Sequence, residues 1–130
     1  MALVVLDASV VIAFLDSRDA HHEAAVAALR AHRSDDVVLP ASAYAEILVE
    51  PLRRGVEAVT HVQQFVTGLV IRIEPLSAEI ARRAAELRAR HAFLRLPDAL
   101  VIATADHLNA TAVLTGDRAW SRVSRRVRLV

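Results

Sequence analysis

Short apolar runs recur along the chain at Leu3–Leu6, Val37–Pro40, Val70–Ile73 and in the segment that ends at Leu114. Each is rich in Val or Ile, too short for a helix and bounded by polar or turn residues. That is the pattern of strands buried on both faces, as in a parallel sheet. Between them the apolar positions change to helical spacing. A short helix is expected through VVIAFL after Asp7-Ala8-Ser9, a second over Asp19–His32 with Ala25 and Leu29 inward, and a third over Ala41–Gly55 opening near Ser42, an acceptable N-cap. Pro51 lacks a donor N–H and is expected to kink or end this third helix at about Glu50. Val56–Leu69, between Gly55 and Gly68, completes a helical hairpin, and Ser77–His91 turns Ile80, Ala84 and Leu87 inward and Arg82, Arg83, Glu86 and Arg90 outward. Near the end, AWSRV has room for one helical turn and VRLV for a last strand at the sheet edge.

Leu96–Asp117, LPDALVIATADHLNATAVLTGD, organises the rest. Pro97 suits the first helical position, and Asp98 in the first turn meets the positive end of the helix dipole. The body, ALVIATA, is apolar nearly all round and so belongs to a buried helix. A turn and a buried strand follow, and Asp117 stands just past that strand. Two acids thus frame an otherwise dry unit.

Strands alternating with helices predict a three-layer α/β/α domain with a mainly parallel central sheet. The 130 residues are expected to form one domain, 1–130. No apolar run is long enough to span a bilayer, and the N-terminus lacks a basic region and carries Asp7 within its apolar run, so neither a membrane span nor a secretory signal is expected. The absence of cysteine excludes disulfides, thiolate nucleophiles and Cys-based zinc sites, and leads to the expectation of a reducing, cytoplasmic setting. The net charge of +1 announces no basic field, and every one of the 16 basic residues is Arg, which reads first as compositional bias.

The chemistry lies in the acids. Asp7 follows the first strand, Glu46 sits early in the helix after the second, Asp98 opens the central helix and Asp117 follows the strand after it. In a parallel sheet with right-handed crossovers all four can gather above one edge. Singly, each has a structural explanation: Asp7 as a helix cap, Glu46 and Glu50 as solvated helical acids. Together, close carboxylates repel by about 4 kcal/mol per pair at an effective dielectric near 20, and the cluster calls for protons or a cation. Oxygen ligands without Cys or His suit Mg²⁺ or Mn²⁺, and an acidic Mg²⁺ site without a phosphate-binding loop suits phosphodiester hydrolysis. Ser9 and Thr115, each two residues from an acid, are expected to orient ligands or their waters. Adjacent His21 and His22 point apart on a helix and read as solvated surface. Arg53 and Arg54, and the cluster Arg118, Arg122, Arg125 and Arg126 beyond Asp117, are equally consistent with an RNA path and with ordinary surface charge. Of these, Arg118 and Arg122 are the nearest candidates for substrate contact.

VVLDASVVIAFL, PASAYAEIL, LPDALVIATA and LTGDRAW, in this order, resemble the successive motifs of the PIN domain in the form found in VapC-type toxins of bacterial toxin–antitoxin pairs. By this resemblance Asp7, Glu46, Asp98 and Asp117 fall on the family's acidic positions, with Asp7, Asp98 and Asp117 as metal ligands, and Ser9 and Thr115 fall on its supporting hydroxyls. The resemblance implies a Mg²⁺- or Mn²⁺-dependent endoribonuclease, a homodimer, and inhibition by a cognate VapB-type antitoxin whose C-terminal segment obstructs the acidic site. The apolar side of Val56–Leu69 would then be core or a dimer or antitoxin surface. Trp120 stands where many relatives carry Phe, a packing substitution. Pro51 leaves open whether Glu46 or Glu50 faces the site.

Rival readings fare less well. A receiver-type signalling domain needs an acidic pair after the first strand and a Lys, whereas this chain has one Asp there and no Lys. A haloacid dehalogenase-type phosphatase needs DxD where Ser9 holds the second position. The three glycines, Gly55, Gly68 and Gly116, form no nucleotide-binding loop. A catalytically silent PIN scaffold acting only through partners is the remaining alternative.

Overall fold

The computed structural model describes residues 2–130. In chain order the elements are β1 (Leu3–Leu6), α1 (Ala8–Leu15), α2 (His22–Ala31), β2 (Asp36–Pro40), α3 (Ala41–Arg54), α4 (Val56–Gly68), β3 (Arg72–Glu74), α5 (Ala78–Arg90), α6 (Leu96–His107), β4 (Ala112–Thr115), a 3₁₀ turn (Arg118–Arg122) and β5 (Val127–Leu129). The five strands form one sheet in the order β3-β2-β1-β4-β5, and every pairing is parallel. The sheet lies between helical layers, the expected α/β/α architecture. Val4, Val5, Leu6, Val38, Leu39, Val113 and Leu114 are buried almost completely, which is why these runs show no alternation of polar and apolar positions. No helix is long and apolar enough to cross a membrane among the described residues.

The sheet topology determines where a site can form. From β1 the chain runs outward one way through β2 and β3, then returns to the other side of β1 for β4 and β5. The crevice between β1 and β4, beyond their carboxyl ends, is the switch point at which open α/β sheets bind ligands. Pairing in the register Leu6↔Leu114 makes Asp7 and Thr115 the next residues beyond the ladder, and the Asp7 N–H donates to the Leu114 carbonyl at 2.9 Å. A helix leading into a parallel strand runs back along it, so the start of α6 returns to this same edge. There α6 carries Pro97 in its first positions and Asp98 in its first turn, with Ala99 and Val101–Ala105 buried behind them. The sequence expectation for this unit is met.

Several boundaries and roles differ from expectation. Helix α3 begins at Ala41, directly after Pro40, with no side-chain cap, so Ser42 is not the N-cap, and it continues through Pro51 to Arg54. A proline forfeits one intrahelical bond, and here it does not end α3, which continues past it to Arg54. Strand β3 starts at Arg72, because Val70 takes φ 53° and breaks the extended run. Helix α2 is shorter than its pattern, since Asp19 and His21 form a turn ahead of it in which the Asp19 carboxylate accepts the His21 N–H at 2.8 Å. Helix α5 is capped by Ser77, whose Oγ accepts the Ile80 N–H. Arg83, expected outward, and Arg126, expected in a basic cluster, both reach the Asp106 carboxylate of α6, at 2.9 and 3.3 Å. Arg126 also donates to the Ala110 carbonyl and to Asn109 Oδ1. It is therefore a clamp between α6 and β5.

Candidate functional site

Asp7, Ser9, Glu46, Asp98, Asp117 and Arg118 line one open cavity of about 660 Å³ beyond the carboxyl ends of β1 and β4. The four acids singled out from the sequence come from four separate parts of the chain, the end of β1, the second turn of α3, the first turn of α6 and the loop after β4, and Asp19, in the turn before α2, is a fifth acid in the lining.

Asp7 occupies the N-cap position of α1 without capping it. Only 8% exposed, its carboxylate receives two hydroxyl protons on Oδ2, from Ser9 and Thr115, both at 2.8 Å. Each hydroxyl oxygen in turn accepts a backbone N–H from the loop after β4: Gly116 N–H to Ser9 Oγ and Asp117 N–H to Thr115 Oγ1, both at 3.1 Å. The two side chains thus stitch the Thr115–Asp117 loop to Asp7 and hold both acids in place. Asp117 is exposed and accepts the Ala119 N–H at 2.9 Å, capping the 3₁₀ turn.

The acids disturb one another. Burial pushes the Asp7 carboxyl above its ordinary range against the pull of both hydroxyls, and the charge of Asp98 raises it further. Burial likewise raises Glu46, with added repulsion from Asp7 and Asp98. Asp98 is raised by burial and by the charge of Asp117, while Arg95 holds it back. Arg95, at the N-cap of α6, approaches Asp98 Oδ2 at 3.5 Å and also draws down Glu46. Trp120 forms part of the cavity wall and is 1% exposed. Its indole N–H lies near enough to Asp98 to favour the charged carboxylate, yet it is buried without a hydrogen-bond acceptor in place.

Glu46 faces this cavity, whereas Glu50 lies in the adjoining groove and pairs with Arg53. Arg118 lines the cavity; Arg122 does not, its guanidinium standing 5.8 Å from the Phe93 ring centroid. Asp19, His21 and Arg95 were missed by sequence reasoning as cavity residues. Arg95 is legible only as a cation one turn before Asp98. His21 belongs to the turn before α2, not to a helix face, while His22 bonds through Nδ1 to the Ala13 carbonyl.

Among the described residues no three His, Cys, Asp or Glu side chains are already drawn into a metal-holding group. The donor set nevertheless fits a hard divalent cation. It consists of oxygens only, and Asp7, Glu46 and Asp98 carry a raised pKa from burial and mutual repulsion, a cost that a bound dication offsets.

The family model that matches this chain is the PIN domain, over residues 4–126. No curated protein sequence matches. Among solved structures the chain is similar to a toxin–antitoxin complex from Klebsiella pneumoniae, with a TM-score of 0.79, 21% identity and coverage of 96% of this chain and 95% of that one. It is similar to Mycobacterium tuberculosis VapC20, a sarcin–ricin loop cleaving toxin, with a TM-score of 0.76, 23% identity and coverage of 92% and 93%. Rickettsia felis VapBC2 bound to a DNA fragment from its promoter gives a TM-score of 0.78 at 14% identity, with coverage of 98% and 97%. At these identities the likeness is one of fold.

Proposed function

The chain belongs to the PIN domain family, and from that premise we propose that it is a metal-dependent endoribonuclease, the toxin of a toxin–antitoxin pair, acting as a single domain over residues 1–130. The observation that carries this reading is the convergence of Asp7, Glu46, Asp98 and Asp117 on one open cavity at the sheet's switch point. Asp7, Asp98 and Asp117 would hold Mg²⁺ or Mn²⁺. Bound there, the ion supplies Lewis-acid polarisation of the scissile phosphate and a lowered pKa for attacking water.

The chain's own groups do the rest. Ser9 and Thr115 keep the Asp7 carboxylate in one orientation, so that no reorganisation is needed as substrate arrives. Glu46, with its raised pKa, accepts a proton from the attacking water, since a carboxylate tuned upward is a better base near neutral pH. Arg95 and Arg118 offset phosphate charge at the cavity wall. The partners proposed are RNA as substrate, a second copy of the chain in a homodimer, and a VapB-type antitoxin. The toxin–antitoxin complexes among similar structures support the last of these. A cysteine-free chain is at home in the reducing cytoplasm.

The test is cleavage of total cellular RNA by wild type and by Asp7→Asn, with Mg²⁺ or Mn²⁺ and with chelator, mapping the 5′ ends of the products. Discrete metal-dependent cuts that disappear in the variant are expected. Folded, antitoxin-free protein that cuts nothing with metal present would overturn the nuclease reading in favour of a silent scaffold.

A further inference from the structure

The chain has three Phe, one Tyr and one Trp, and all but one of these rings are accounted for by packing. Trp120 and Phe65 are buried, Phe14 stacks on Phe65 with ring centroids 5.0 Å apart, and Tyr44 packs partly buried against the core. Phe93 alone is exposed, at 48%. The linker that carries it does not need it as an anchor, because the next residue, Leu94, is 2% exposed and closes a turn through its N–H to the His91 carbonyl at 2.9 Å. Phe93 nevertheless has an ordered setting. The Arg122 guanidinium stands 5.8 Å from its centroid, and the His91 ring meets it edge-on at 5.9 Å.

The position matters as much as the chemistry. Phe93 lies two residues before Arg95, and Arg122 two residues after Trp120; both Arg95 and Trp120 line the carboxylate cavity. The exposed ring and its cation thus follow closely in the chain on two residues of the cavity wall, where the α5–α6 linker meets the 3₁₀ turn, without lining the cavity themselves. Among the described residues, neither Arg122, over the ring, nor Arg118, in the cavity lining, pairs with a carboxylate, so both cations remain available to an anionic ligand.

We infer that Phe93 and Arg122 form a stacking platform for an unpaired nucleobase of the RNA strand entering the carboxylate cavity. The inference rests on the nuclease reading and adds to it the two residues on which a base of the strand would rest. A phenyl face and a guanidinium plane are the two surfaces on which proteins stack single-stranded bases, and the stacking tolerates any base because each has a π-face. A base-paired duplex presents no free base face to such a ring. An apolar peptide side chain is the weaker occupant, because it would desolvate the Arg122 cation without compensating its charge.

The experiment measures binding by fluorescence anisotropy in chelator, so that no strand is cut, using wild type, Phe93→Leu, Phe93→Trp and Arg122→Gln. The probes are a labelled single-stranded RNA, the same sequence as a duplex, and an abasic ribose-phosphate oligomer of equal length. Phe93→Leu keeps an apolar side chain at an exposed position and so preserves the fold, which a melting curve verifies. It is expected to weaken single-strand binding about tenfold and to leave abasic binding unchanged, with Phe93→Trp restoring wild-type affinity. Arg122→Gln is expected to weaken both single-stranded and abasic binding. Equal affinity of wild type and Phe93→Leu for the single strand overturns the platform, as does equal weakening on the abasic oligomer. The two readings fail separately: base-dependent binding by a protein that cuts no RNA with Mn²⁺ would retain the platform and reject hydrolysis, whereas metal-dependent cleavage with indifferent Phe93→Leu binding would do the reverse.

Discussion

Thr115→Val removes one oxygen and leaves the shape of the side chain unchanged. Thr115 is fully buried, so the substitution opens no cavity and every consequence comes from lost hydrogen bonds. Two are lost: the bond donated to Asp7 Oδ2 at 2.8 Å, and the one accepted from the Asp117 N–H at 3.1 Å. A hydrogen bond to a charged group contributes about 1.5–3 kcal/mol, and a stranded donor adds to the loss. The expected destabilisation is about 2–4 kcal/mol at pH 8. Its pH dependence follows from Asp7. The Thr115 hydroxyl stabilises the charged carboxylate, so the variant's Asp7 pKa rises above the already raised wild-type value. The deficit is therefore fully present above the variant's Asp7 pKa, where both proteins hold it ionised. It shrinks as pH falls from there to the wild-type value, and loses its charge-dependent part below that, where both hold Asp7 protonated. Urea unfolding in chelator at pH 8 and pH 4, followed by the emission of the single tryptophan, Trp120, measures both values. In the same variant RNA cleavage should fall about 10–100-fold, the usual effect of losing a residue that orients a metal ligand. A deficit below about 0.5 kcal/mol, or one of equal size at both pH values, would refute the coupling of Thr115 to the Asp7 charge.

Asp7→Asn should melt higher than wild type in chelator at pH 8 and show no such gain at acid pH, as scanning calorimetry would record. A carboxyl whose native pKa is raised by burial contributes stability below its unfolded pKa, and that contribution is lost as pH rises through the native value. Glu46→Gln should reduce RNA cleavage at least tenfold, whereas Glu50→Gln should leave it within about twofold, because only Glu46 faces the cavity with Asp7 and Asp98. Mn²⁺ should raise the melting temperature of wild type and alter Trp120 emission, and both responses should be absent in Asp98→Asn. Arg126→Ala should cost about 1–2 kcal/mol in urea unfolding and leave the salt dependence of RNA binding unchanged, since its guanidinium is engaged by Asp106 and Ala110; Arg118→Ala should leave stability unchanged and reduce the salt slope by about 1.

Sequence patterning alone established the order of strands and helices, the parallel sheet and the four acids. Continuous apolar runs mark strands covered on both faces, and Pro97 with Asp98 marks the start of a helix whose body is buried. What it left open was whatever depends on contacts remote in sequence. Asp7 reads equally as a helix cap and as a site acid until the register Leu6↔Leu114 brings Thr115 beside it, 108 residues away. Arg126 is indistinguishable from its neighbour Arg125 until α6 places Asp106 against it, and Phe93 is one more linker residue until the 3₁₀ turn lays Arg122 over its ring. Pro51 and Val70 show the local limit as well. The first weakens a helix that tertiary packing nevertheless carries through, and the second takes a left-handed conformation that strand propensity argues against. The identity of the acids was thus determined by the sequence itself. Their meeting in one cavity, and the assignment of Glu46 rather than Glu50 to it, was decided by the tertiary structure, because strand register and helix direction set distances that no local pattern encodes.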